Sequence, residues 1–191
     1  TGIRYRTEGG ANGEVRADFV VDASGQTGLL ARGLKLRRWD SFFQNLAVYG
    51  YFEGAQRLPA PDENNIFIES YDHGWLWAIP LHTGWSSVGT VVDSETGQRG
   101  IAQCGLQKFF HAQIAQAPHT SGMLHKAGLV SGPFIVKDWS YTCDRMVGDG
   151  YVLAGDAACF VDPLFSSGVH LALTSGVLSA AYVKSALNNP K

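Results

Sequence analysis

The stretch YVLAGDAACFVDPLFSSGVHLALTSG, residues 151–176, constrains this chain more than any other. A strand-like apolar run ends on Gly155 and Asp156, a loop crosses Pro163, and a helix opens on Ser166, Ser167 and Gly168. A core element requires none of these choices. Glycine at a strand end lets the backbone approach a ligand with no Cβ in the way. A carboxylate beside it accepts hydrogen bonds from sugar or ribityl hydroxyls. Proline bars helix until the chain has turned. The first amides of the helix that follows lack intrahelical partners, and with the helix dipole they attract negative charge. Each piece also has a plain structural use, as a tight turn with an Asp cap or as a serine N-cap. In combination they describe a site for a phosphorylated cofactor and a small anion.

The rest of the chain supplies a frame for that site. GIRYR and VRADFVVDA read as two strands joined by a turn at Gly9, Gly10, Asn12 and Gly13, and the continuous apolar run DFVVDA suits a strand covered on both faces. TGLLARGLKLR reads as a short helix with Leu29, Leu30 and Leu34 on one side. NLAVYGYFEG, NIFIES, GWLWAIPLH and WSSVGTVVD are four further strands, the last two forming a hairpin through HTG. One helix is expected through Ile101, Leu106, Phe109, Phe110 and Ile114, ended by Pro118. AGLVSGPFIVKDWSYTC returns to strand, GYVLAG is a buried strand, and Ser166 to Leu187 is the longest helix. The pattern is α+β, with an antiparallel sheet at roughly 45–142 inserted between two pieces of a cofactor-binding region.

Composition narrows the function classes. A net charge of -2 gives no general attraction to nucleic acid or anionic membrane. No apolar run reaches the roughly 18 residues of a membrane span. Cys104, Cys143 and Cys159 are odd in number and lack a CxxC spacing, which suits free thiols in a reducing cytoplasm, and the six histidines form no metal-ligand pattern. The segment RGLKLRRWD gathers Arg32, Lys35, Arg37 and Arg38, read as a solvated face in preference to a docking patch. His170 reads as a packed or capped histidine. The chain opens at Thr1 in mid-hairpin and stops at NNPK after a helix, so it reads as an excerpt of a longer protein.

Three motifs carry a resemblance. VLAGDAACFVDPLFSSGVHLALTSG looks like the second flavin-binding motif of FAD-dependent monooxygenases. Within that superfamily, Phe160, Pro163, Ser166 and Gly168 match the F-x2-P-x2-S-x-G pattern of flavin-dependent halogenases, and GWLWAIP, residues 74–80, matches their W-x-W-x-I-P motif. VVDASG followed by RRWDSFFQNLAVYGYFEGA is similar to the same group. The resemblance implies the FAD-binding portion of a glutathione-reductase or p-hydroxybenzoate-hydroxylase-like fold, with an inserted substrate-domain sheet. The implied segments are 1–33, 34–142 and 143–191: the end of the first FAD-binding segment, the substrate sheet with its helix, and the second FAD-binding segment.

The resemblance also implies an enzyme that uses FADH2, dioxygen and chloride or bromide to halogenate an electron-rich aromatic ring in secondary metabolism, such as antibiotic biosynthesis. Carried over by residue, Gly155 and Asp156 would hold the ribityl–pyrophosphate part of FAD, with Pro163, Gly168 and Val169 in the same motif. Asp22, Ser24 and Gly25 would lie against the dinucleotide. The amides of Ser167 and Gly168 would bind halide, and Trp75 and Trp77 would separate flavin from substrate. Two core aromatics on an amphipathic strand would look the same. Phe165 stands where tryptophan-type halogenases carry Glu, which points to the phenol or pyrrole branch, acting on a free or carrier-bound substrate. Ser24 leans toward FADH2 delivered by a separate reductase. No G-x-G-x-x-G is present, and none of the lysines lies in the catalytic-lysine context, so this stretch alone is expected neither to retain FAD nor to halogenate. An aromatic hydroxylase of the same fold and a non-catalytic flavin-binding remnant are the alternatives.

Overall fold

The computed structural model describes residues 1–137 and 139–189. The chain divides into two compact units, one built from 1–41 together with 139–191, the other from 42–138. In the first, the hairpin β1 (Gly2–Arg6) and β2 (Asn12–Arg16) pairs Ile3 with Val15. The expected single strand through residues 15–23 is in fact two. Its first residues belong to β2; then β3 (Val20–Asp22) leaves the hairpin and pairs in parallel with β12 (Tyr151–Leu153), Val21 opposite Val152. The change of partner coincides with the change from alternating to continuous apolar sequence, but β3 is not covered on both faces as expected: Val21 is 52% exposed, and only Asp22 is buried.

A two-residue β11 (Val147–Gly148) flanks β12 on its other edge, and β4 (Arg37–Trp39) pairs antiparallel with β10 (Tyr141–Cys143). That pairing puts residues 34–41 and 139–142 in the first unit, not with the sheet assigned to 34–142 from sequence. Of the three leucines expected on one side of the short helix α1 (Leu29–Gly33), only Leu30 packs against the core, half-buried, while Leu29 is 68% exposed and Leu34 50%. Ala31 and Leu36 go into the core instead, against Cys143, Leu153 and Ala158. The long helix α5 (Gly168–Asn188) completes the unit. No helix among the described residues is long and apolar enough to cross a membrane.

The second unit is an antiparallel sheet of β5 (Asn45–Glu53), β6 (Phe67–Tyr71), β7 (Gly74–Pro80), β8 (Ser86–Asp93) and β9 (Gly128–Lys137), in the order β6-β7-β8-β5-β9. All four strands read from sequence at 45–93 are present, and β7 and β8 form the hairpin. Alternation along the strands puts Leu46, Val48, Phe52, Leu76, Ala78, Val88 and Val92 on one face, packed with Phe109, Phe110 and Ile114. The single expected helix through residues 101–114 is two, α2 (Ser94–Cys104) and α3 (Leu106–Ala115), because Gly105 takes φ 84° and ψ 156°. That conformation is open to glycine and strained for any other residue. The corner lets Phe109 fold back onto Gly100, where a Cβ would lie 2.6 Å from the ring. Pro118 does not only end a helix. It stands at the first position of α4 (Pro118–Met123), where a missing N–H costs nothing.

Glu69, buried on β6, caps α4. Its carboxylate accepts the amide of His119 at 3.0 Å, the amide of Thr120 at 2.7 Å and the Thr120 hydroxyl at 2.7 Å. Burial pushes the carboxyl up, but the hydrogen bonds from Thr120 and His119 outweigh it and hold it below the usual glutamate range. With a depressed folded-state value, the stabilisation is present above the unfolded-state value and lost as pH falls through the folded one. Glu69→Gln is expected to cost about 2 kcal/mol at neutral pH. The gap between variant and wild type should close in strong acid, as urea melts at the two pH values would show.

Candidate functional site

In the first unit a cleft of about 990 Å3 lies along α5, with Val21, Ala23, Gly25, Ala154, Gly155 and Asp156 among its lining residues. The strand β12 delivers Gly155 and Asp156 into a single 3-10 turn, Gly155–Ala157. Gly155 takes φ +57°, and a Cβ there would come within 3.2 Å of the Ala172 Cβ. Its amide donates to the Ser175 hydroxyl at 2.7 Å, and that hydroxyl donates in turn to the Ala172 carbonyl at 3.0 Å. The turn is therefore pinned to α5 from the start. Burial pushes the Asp156 carboxyl above the usual aspartate range.

The loop into α5 follows the sequence motif. The Asp162 carboxylate accepts the Leu164 amide at 2.8 Å, and the Ser166 amide donates to the Pro163 carbonyl at 2.9 Å. Ser166 then takes φ +50°, left-handed backbone that is uncommon outside glycine. Ser167 is the N-cap of α5, with no side-chain hydrogen bond to the helix. Among the described residues, no hydrogen bond uses the amides of Ser167, Gly168 or Val169. Gly168 and Val169 line the cleft.

The remaining positions expected to face a cofactor divide. Gly25, at φ +64° with open space around it, lines the cleft. Asp22 and Ser24 do not, because their side chains organise the turn into α1. One Asp22 oxygen accepts from the Ser24 amide at 3.0 Å and the Ser24 hydroxyl at 2.6 Å, and the other from the Leu30 amide at 2.7 Å. The Ser24 hydroxyl accepts the Leu29 amide at 3.0 Å. Pro163 shapes the approach to α5 without lining the cleft, and His170 is exposed on the first turn, not packed. Phe165 is 87% exposed. Sequence reasoning missed the inner stripe of α5, Ala172, Gly176, Ser179 and Ala180, and the hydroxyl of Ser175. The small residues at four-residue spacing from Gly168 were the available signal.

In the second unit, Trp75 and Trp77 stand on the sheet face opposite the helices, half-buried, with ring centroids 5.8 Å apart. Tyr49 lies 6.2 Å from Trp77 and Phe134 lies 5.5 Å from Tyr49, so aromatic rings from β7, β5 and β9 run across four strands of this face, β8 contributing only Gly89 between Trp77 and Tyr49. The Trp77 indole N–H donates to the Ser87 hydroxyl at 3.1 Å. The seat of that indole is Gly89, opposite Trp77 in register, where a Cβ would lie 2.2 Å from the ring. Gly89→Val is expected to displace Trp77 and to cost about 2 kcal/mol. The near-ultraviolet circular dichroism of the tryptophans should change, with the far-ultraviolet signal intact.

Three cysteines are free: Cys104 exposed, Cys143 buried, Cys159 half-buried. Among the described residues no group of three or more His, Cys, Asp or Glu converges.

Comparison with known proteins agrees with the motifs. Residues 4–185 match the family model described as tryptophan halogenase. A flavin-dependent halogenase of Armillaria mellea is 39% identical over 92% of this chain and 37% of its own length. A tryptophan 2-halogenase of Chondromyces crocatus is 36% identical over 92% of this chain and 34% of its own. The chain thus spans about a third of the length of the curated relatives it matches. Among solved structures, the myxobacterial chondrochloren halogenase, described as a variant of FAD-dependent halogenases, superposes with a TM-score of 0.89 at 40% identity, covering 100% of this chain and 44% of the other. Motifs, fold and relatives agree that this chain belongs to the tryptophan halogenase family of FAD-dependent oxidoreductases.

Proposed function

We propose that the cleft along α5 holds part of FAD and a halide, and that the full-length protein halogenates an electron-rich aromatic ring. The observation that carries this reading is the convergence of two unlike devices on one cleft. The Gly155 and Asp156 turn and the uncapped start of α5 both open onto it. The residues fit the cofactor: Gly155 and Gly25 offer backbone without a Cβ, and the Asp156 carboxyl can accept from ribityl hydroxyls. The sheet would belong to the substrate domain of a p-hydroxybenzoate-hydroxylase-like fold, inserted between two FAD-binding segments.

Reduced FAD, when bound, would supply two of the four electrons that take dioxygen to water, the halide and the ring together giving the other two. An aromatic C–H becomes C–halogen, FADH2 becomes FAD, one proton is taken up, and both oxygen atoms leave as water. Within that balance the chain has three tasks. The amides of Ser167 and Gly168 hold the halide at the positive end of α5, a contribution of up to about 2 kcal/mol in sheltered geometry. Asp156 orients the cofactor. Trp75 and Trp77 give the sheet unit an aromatic face for the acceptor ring.

Phe165 in place of Glu favours a phenol or pyrrole substrate, free or held on a carrier protein, and a separate reductase would supply FADH2. Three free thiols suit a reducing compartment such as the cytoplasm. The test is turnover of full-length protein with reduced FAD and a panel of phenols and pyrroles, with and without chloride or bromide. Halogenated product that depends on halide is expected. Hydroxylated product indifferent to halide would make the protein an aromatic hydroxylase and end the proposal.

A further inference from the structure

The turn that carries Asp156 is held from behind by a residue that no motif includes. Tyr141, on β10 and only 3% exposed, donates its hydroxyl to the backbone carbonyl of Asp156 at 2.5 Å. Its own backbone exchanges hydrogen bonds with Phe160, both at 2.9 Å, and the Cys143 thiol two residues on reaches the Ala157 carbonyl at 3.8 Å. The strand β10 therefore grips the chain on the far side of the turn, while the Ser175 hydroxyl receives the Gly155 amide from α5.

The ring of Tyr141 is fixed in its turn. Trp39 meets it edge-on, with centroids 5.2 Å apart and planes at 74°. The Arg37 guanidinium carbon lies 3.9 Å from the Tyr141 centroid and 5.5 Å from that of Trp39. Arg37 is thus no part of the solvated basic face read from RGLKLRRWD, whereas Arg38 is, pairing at the surface with Asp144 at 2.7 Å. Among the described residues, the buried Nε and Nη2 of Arg37 have no hydrogen-bond partner, so the two aromatic faces are its main compensation. A glycine makes room for it: a Cβ on Gly28 would lie 2.3 Å from Nη2. Burial pushes the Tyr141 hydroxyl up to about 12, so it stays a donor across the physiological range.

We propose that Tyr141, backed by Arg37, is a positioning residue for the cofactor, locking the Gly155 and Asp156 turn so that the Asp156 carboxyl faces the cleft before any ligand arrives. This rests on the reading that the cleft takes FAD, and adds to it the residue that preorganises the cofactor's acceptor. Preorganisation of this kind raises affinity by removing an ordering cost from the binding step.

The test is FAD affinity of the full-length apoprotein, measured by quenching of flavin fluorescence, with adenosine, read by calorimetry, as a probe lacking the pyrophosphate, ribityl and flavin parts. Tyr141→Phe keeps the ring under Arg37 and removes only the hydroxyl. It is expected to weaken FAD about tenfold while leaving adenosine binding and the apoprotein melting temperature unchanged. Arg37→Met leaves the hydroxyl and removes the charge behind it, with an expected loss of about threefold. Tyr71→Phe removes a half-buried hydroxyl that bonds Thr90 and Gln113 in the other unit, and should leave FAD affinity alone. FAD affinity in Tyr141→Phe equal to wild type overturns the proposal. So does an equal loss for both ligands with a lowered melting temperature, which marks general loosening. A wild-type protein that binds no FAD refutes the cofactor reading itself.

Discussion

Gly155→Val in the full-length protein is expected to lower FAD affinity by about a hundredfold, more than any other single substitution considered. Two costs add. The residue sits at φ +57°, where a non-glycine residue loses roughly 1–2 kcal/mol and a β-branched one more. A side chain there also enters the 3.2 Å space beside Ala172, so the turn must back away from α5 and its bond to Ser175 must lengthen. Either movement carries Asp156 with it. Flavin retained through gel filtration measures the effect directly, and retention equal to wild type would show that the turn does not approach the cofactor.

Phe110→Ala is the largest stability effect expected in the sheet unit, about 4 kcal/mol. Phe110 is fully buried, lies 6.1 Å from the Phe52 ring, and comes within 3.6 Å of where a Cβ on Gly50 would sit, beside Leu129. The side chain comes from α3 while the hole it leaves is walled by β5, so collapse around it would have to bend a strand paired on both edges. Phe165→Ala, which removes the same ring from an exposed site, should change stability by less than about 0.5 kcal/mol. Guanidinium melts of the two variants side by side decide the point.

These two positions also show what sequence could tell. Strands β5 to β8 were legible because Gly, Pro, Asn and Asp punctuate runs with a two-residue period, and the Gly-Asp turn was legible because its residues have few other uses together. The split of the helix at Gly105 was not, since a glycine inside an apolar period reads as tolerated until Phe109 is seen to need the space beside Gly100. The period puts Leu29, Leu30 and Leu34 on one side of the helix, but the turn set by Asp22 and Ser24 brings Ala31 and Leu36 inward and leaves only Leu30 packed beside them. Arg37 looked like its neighbour Arg38. Strand alternation separates the two, but which face would carry Tyr141 depends on a pairing across some hundred residues of intervening chain. The cleft-facing role of Gly25 and the inward use of Asp22 are likewise decided by who bonds whom, which no local pattern encodes.

The two-unit division has a consequence for how the chain is made. The sheet unit is one uninterrupted run, 42–138, whereas its companion is assembled from both sides of it and joins Val21 to Val152. On the ribosome the inserted run is complete first, and once folded it acts as a short bridge in place of a long slack loop, reducing the entropic barrier to that distant parallel pairing. It follows that substitutions which slow the insert, Phe110→Ala among them, should lower the yield of the folded first unit in cells even though they touch none of its residues.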